Sequence, residues 1–160
     1  MIDFTVETQI SRPVHDVFAY ATDPDQLSTW QTNTVSARRE DDGPYGVGSR
    51  LREVHRAPGG KELESVVEVV EYVPDRVFAL EVKEGTPIHA RITFDPADGG
   101  TRMRFRAHGK LTGPTRLIEP LVGRTLRKQF AQQVATLKRV LEDADGGIEY
   151  VCRGGAAGRM

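Results

Sequence analysis

The chain carries a single cysteine, Cys152, which excludes an intramolecular disulfide and leaves a thiolate metal centre without a second sulfur. No stretch approaches the roughly 20 apolar residues that a bilayer-crossing helix needs, so no membrane span is expected. Met1 to Glu7 has neither a basic start nor an apolar run; a secretory signal is not expected, and the cytoplasm is the default location. Charge of one sign is lacking as well. A formal net charge of −1 gives no general reason to expect nucleic acid or an acidic membrane as partner. There is no Gly-rich phosphate loop and no nucleophile elbow, and His15, His55, His89 and His108 are scattered without metal-site spacing. Neither a cofactor nor a metal is therefore expected. Internal repeats are missing too, and 160 residues suffice for one domain with a real core. That domain is expected over 1–145, followed by an aperiodic Gly-rich tail at 146–160 that should be mobile.

What is present begins with alternation. Phe4, Val6, Thr8 and Ile10 share one side of a strand whose other side carries Asp3, Thr5, Glu7 and Gln9. The pattern then breaks into two short helices. Ser11 is placed to cap the first, with Pro13 in its opening turn and Val14, Val17, Phe18 and Ala21 on one face. Asp23 caps the second, Pro24 opens it, and Gln26 is placed to reach back in a capping box. Six further strands follow: Thr34 to Arg38, Val47 to Ala57, Lys61 to Val73, Phe78 to Lys83, Ile88 to Phe94, and Met103 to Leu111. Turn residues such as Pro58-Gly59-Gly60 and Asp98-Gly99-Gly100 join them closely, which requires antiparallel pairing. A long helix over about 114–143 closes the pattern. Its apolar stripe is Leu117, Leu121, Leu126, Phe130, Val134, Leu137 and Leu141, with a kink or separate turn expected at Pro120 and Gly123. The expected fold is α+β: a seven-stranded antiparallel sheet wrapped around the last helix.

The stretch Ser11-Arg12-Pro13-Val14-His15-Asp16-Val17-Phe18, followed by Asp23-Pro24 and Trp30, resembles the opening of the SRPBCC superfamily. Gly46-Val47-Gly48-Ser49, Val73-Pro74-Asp75-Arg76 and Leu137-Lys138-Arg139-Val140-Leu141 are similar to later parts of the same pattern. The resemblance spans roughly residues 2 to 143. It implies the helix-grip fold of START-related, Bet v 1-like and polyketide cyclase/dehydrase-like proteins. That scaffold carries lipids, hormones or polyketide intermediates, and sometimes catalyses reactions on them. The implied partner is a small hydrophobic molecule. A polyketide cyclase or dehydratase and a protein-interaction module are the alternatives, and the chain is compatible with a monomer or a homodimer.

Candidate site residues follow from parity within this frame. If Val47, Ser49 and Leu51 face the helix, Glu53 and His55 face it too. A carboxylate and an imidazole two residues apart in an apolar cavity can anchor a ligand hydroxyl or carbonyl, or act as acid and base. A register slip would instead turn both outward toward arginines, and a place at the cavity mouth would leave them in water. Trp30 falls where the fold opens its pocket, and Tyr20 has a hydroxyl to offer as a third catalytic candidate. Phe78, Leu80, Phe94, Phe105 and Phe130 complete the expected lining. Arg102, Arg104, Arg106, His108 and Lys110 form a basic stripe, as do Arg50, Arg52 and Arg56. Asp3, Glu7, Glu64 and Glu68 should neutralise both across strands, so no nucleic-acid partner is expected.

Overall fold

The computed structural model describes residues 1–57 and 59–143. Its elements are β1 (Ile2–Ile10), α1 (Val14–Thr22), α2 (Leu27–Trp30), β2 (Thr34–Arg39), β3 (Arg50–Arg56), β4 (Glu62–Val73), β5 (Val77–Glu84), β6 (Ile88–Ala97), β7 (Gly100–Gly109) and α3 (Glu119–Asp143). The seven strands form one antiparallel sheet in the order β1-β7-β6-β5-β4-β3-β2. The expected helix-grip arrangement is therefore present. Chain neighbours are sheet neighbours throughout, except that β1 pairs with β7 and the two short helices carry the chain from the β1 edge to the β2 edge.

Alternation accounts for the layers. On β7, Met103, Phe105 and Ala107 are buried while Arg102, Arg104 and Arg106 are exposed. Asp98 and Gly99 both take positive φ, 39° and 79°, in the two-residue loop between the paired residues Ala97 and Gly100. That Asp-Gly pair supplies the left-handed conformations a tight hairpin demands. Val134, Leu137 and Leu141 of α3 enter the core with Ile10, Leu51, Phe94 and Met103. Phe130 stacks on Phe105 at 4.8 Å between ring centroids and meets Phe4 at 5.7 Å, fixing the helix against β7 and β1.

Several local expectations are corrected. Ser11 does not cap α1: Pro13 occupies that position without a side-chain bond, and the Ser11 N–H donates to the Glu142 carboxylate at 3.1 Å. Asp23 does cap its turn, accepting from the Asp25 N–H at 2.9 Å, whereas Gln26 makes no capping-box bond. Val47 is exposed, because β3 starts only at Arg50 and the turn holding Gly48 at φ 93° precedes it. Leu117 and Leu121 are 88% and 64% exposed. The last helix begins with a separate 3-10 segment, Gly113–Ile118, whose different twist takes Leu117 off the stripe, while Leu121, within α3, falls by the helical period on the side away from Leu137 and Leu141. The 146–160 tail, with Cys152, lies outside the described residues.

The outer face of the sheet is charge-matched as its parity requires. Arg106 meets Asp3 at 3.0 Å, Arg104 meets Glu7 at 3.1 Å, and Arg52 meets Glu64 at 2.7 Å. Arg50 lies 3.7 Å from Glu68. The Asp3 carboxyl is held below its ordinary range, chiefly by its hydrogen bond to Arg106. Such exposed pairs are screened by solvent and add little stability, but they set the arginines of both stripes against acids.

Candidate site on the concave face

Glu53 and His55 sit on the helix-facing side of β3. The Glu53 side chain is only 7% exposed, that of His55 26%. Register explains why a carboxylate fits there: its cross-strand neighbours, Ala37 on β2 and Ser65 on β4, are both small. Glu53 Oε2 lies 3.0 Å from His55 Nε2, which is also 3.1 Å from the Ser65 hydroxyl. On the other side of the ring, His55 Nδ1 is 3.3 Å from Thr34 Oγ1.

The hydroxyl of Thr34 donates to Gln31 Oε1 at 2.9 Å, so toward His55 it can only accept. In that arrangement His55 Nδ1–H is the donor to Thr34. A neutral ring with its hydrogen on Nδ1 presents a lone pair at Nε2, which a carboxylate at 3.0 Å would repel. Glu53 Oε2 accepts from His55 Nε2 in the ring form that carries a hydrogen there. Carboxylate, imidazole and two hydroxyls thus form one connected network.

Three buried polar atoms near these elements have no partner among the described residues: Trp30 Nε1, the Tyr45 hydroxyl and Gln133 Oε1. Gln133 is tied to this region through its amide, which donates to Asn33 Oδ1 at 2.5 Å beside Thr34. Burial raises the Tyr45 phenol above its ordinary value, with Tyr72 and the Glu53 charge adding to the effect. Unpaired buried polar atoms of this kind are costly and uncommon in folded proteins.

The expected lining residues are distributed over two clusters. Phe105 and Phe130 group with Phe4. Phe94 meets Phe18 at 5.2 Å, and Phe78 meets Tyr72 and Tyr45 at 6.0 and 6.3 Å. Trp30 is 1% exposed and Leu80 is half-buried against the core. Tyr20 is half-buried, its hydroxyl 2.6 Å from Thr29 Oγ1 in an exposed bond on the helical side, so it does not join the Glu53 network. Cavities of about 310 and 260 Å³ open elsewhere, around Met1: one beside Val82, Ile88 and Lys110, the other beside Glu119, Pro120 and Arg124. Neither is lined by Glu53, His55 or Trp30.

Sequence reasoning missed Tyr45, Thr34, Ser65 and Gln133. Ser65 was readable, since it shares parity with Val67 and Val69. Thr34 is hidden by a bulge between Thr34 and Ser36, and Tyr45 by its turn-rich loop.

An antiparallel sheet gripping a long C-terminal helix, with polar groups set among apolar walls, defines the helix-grip class. The chain belongs to the family described as "Polyketide cyclase / dehydrase and lipid transport", whose profile matches residues 1–142, in agreement with the SRPBCC resemblance. Solved structures share the fold. The protein TTHA0849 of Thermus thermophilus is 22% identical, with a TM-score of 0.77 over 89% of this chain and 99% of that one. The di-domain ARO/CYC StfQ from the steffimycin biosynthetic pathway is 14% identical, with a TM-score of 0.77 over 91% of this chain and 52% of StfQ. The Aha1 dimer of Colwellia psychrerythraea is 17% identical, with a TM-score of 0.65 over 91% and 99%. At these identities the likeness is one of fold. Comparison with curated proteins gave no match.

Proposed function

We propose that the protein binds a small hydrophobic molecule of lipid or polyketide type, with Glu53 and His55 anchoring its polar end. The observation that carries this reading is the buried Glu53–His55 pair on a concave face that is otherwise largely apolar. Burying a carboxylate costs stability unless it is compensated, so its retention there favours a use beyond packing. Trp30 and Tyr45 would offer unpaired donors, and Gln133 an unpaired acceptor, to the same polar end. Phe78, Leu80, Phe94, Phe105 and Phe130 would supply apolar contact, worth roughly 25 cal/mol per Å² buried. Native mass spectrometry of protein purified from its own host tests the reading. Wild type should retain a small molecule that Glu53→Gln has lost, and equal retention by both would remove Glu53 from the site.

Catalysis is the second reading, and the direct contact of an acid with an imidazole favours it. One partner can take a proton from the substrate carbon while the other gives a proton to the attacked carbonyl oxygen, as a cyclisation needs, or to a hydroxyl that departs as water, as a dehydration needs. The Ser65 and Thr34 hydroxyls, already bonded to His55, would orient the ring. Conversion of a bound poly-β-ketone, with wild type cyclising it and both Glu53→Gln and His55→Gln inactive, would select this reading over simple binding.

A further inference from the structure

Leu117, Ile118 and Leu121 are 88%, 51% and 64% exposed and adjoin one another where the 3-10 segment runs into α3. Contiguous exposed aliphatic side chains are unusual enough on a folded domain to require a reason. Their surroundings are strongly basic. From Gly113 to Thr136 the charged residues are Arg116, Arg124, Arg127 and Lys128 and one acid, Glu119. Glu119 is buried, bound to the Met1 amino group and to the Leu111 N–H, so it offers no negative charge outward. Arg124, Arg127 and Lys128 form no ion pair among the described residues, in contrast to the matched arginines of the sheet's outer face. The net charge of −1 therefore conceals an asymmetry: one edge is positive and greasy while the sheet is neutralised in place.

We propose that this edge of α3 docks on the surface of an anionic lipid bilayer. Aliphatic side chains flanked by unpaired basic ones match the two layers of such a surface, acyl chains beneath negative headgroups. A second copy of the chain fits worse. A two-fold contact would press the patch holding Arg116, Arg124 and Lys128 onto its own copy, a basic surface against a basic surface. Pro120, Gly123, Arg124 and Arg127 of the same segment line the cavity beside Glu119. The proposal does not depend on the Glu53–His55 reading.

Vesicle flotation tests it, using phosphatidylcholine vesicles with and without about one-third phosphatidylglycerol. Wild type should float with the anionic vesicles at least about tenfold better than with the neutral ones, and less well as salt rises. Arg124→Gln with Lys128→Gln should lose roughly 5-fold per side chain, about 25-fold together. Leu117→Ser with Leu121→Ser should also abolish flotation while leaving the melting temperature unchanged, since both side chains are in solvent. Equal partition of wild type to both vesicles, no partition at all, or unchanged partition of either double variant would overturn the proposal. So would a wild-type dimer in sedimentation velocity that the leucine pair dissolves, since that would assign the edge to a second copy.

Discussion

Replacing Glu53 with leucine separates a side chain kept for function from one kept for the fold. The change removes a carboxylate–imidazole contact at 3.0 Å, a charge-assisted hydrogen bond worth about 1.5 to 3 kcal/mol. It also buries an aliphatic side chain at a site only 7% exposed, which returns about 1.5 to 3 kcal/mol, and removes the cost of desolvating a carboxylate. The usual penalty for breaking a buried pair, an orphaned charge, does not arise. Neutral His55 keeps its Nδ1–H bond to Thr34 and accepts the Ser65 hydroxyl at Nε2, so no group is left unpaired. The balance lies between about 0 and 2 kcal/mol in favour of the variant, a rise of several degrees at most in melting temperature for a domain of this size. Calorimetry on ligand-free protein should show Glu53→Leu at least as stable as wild type, and native mass spectrometry should show the bound molecule gone. A loss of about 3 kcal/mol or more, the range for breaking a buried pair, would refute the reasoning and make Glu53 a structural anchor.

Other consequences are independent of the ligand. Phe105→Ala removes a buried ring stacked on Phe130 and should cost about 3 to 5 kcal/mol in urea unfolding. Gly100→Ala would drive a Cβ into the Ile10 carbonyl oxygen, a backbone atom that can yield only if β7 shifts from β1. It should destabilise by about 1 to 3 kcal/mol or more, whereas Gly46→Ala meets nothing within 4 Å and should be close to neutral by the same measurement. His89 is held below its ordinary value of 6.5 by burial and then by His108, with Arg91 acting the same way and Glu81 and Glu71 opposing. Neutral His89 therefore stabilises the fold above pH 6.5, and that contribution is lost as pH falls through 6.5 toward the lower folded value. Urea midpoints measured down this range should fall less steeply in His89→Asn, and an identical slope would contradict the assignment.

Wherever one period dominated, the chain was legible. Strict alternation in β1 and β7 placed Phe4, Met103 and Phe105 inward and set the arginines opposite Asp3 and Glu7. The helical period of roughly 3.6 residues located Val134, Leu137 and Leu141. Legibility failed where the backbone changes period. The 3-10 segment moves Leu117 out of the helical stripe, and the turn before Arg50 exposes Val47. A bulge between Val69 and Glu71 puts Tyr72 into the aromatic cluster that simple alternation would deny it. For the site, parity in β3 put Glu53 and His55 on one face and parity in β4 would have added Ser65, but the Thr34 hydroxyl comes from a bulge that no local pattern encodes. Tyr45 sits in an irregular loop, where burial is decided by tertiary packing alone.

Trp30 offers the most direct test of the account, because it is the sole tryptophan and its buried indole N–H has no partner among the described residues. One tryptophan should give a single indole N–H resonance that reports this position. That resonance should be compared between protein carrying the molecule retained from its own host and the same protein stripped of it. If Glu53, His55 and Trp30 surround the ligand's polar end, the resonance should shift on loading and its hydrogen exchange should slow. An identical resonance in loaded and stripped protein, or a protein that carries no molecule from its own host, would contradict the proposed site.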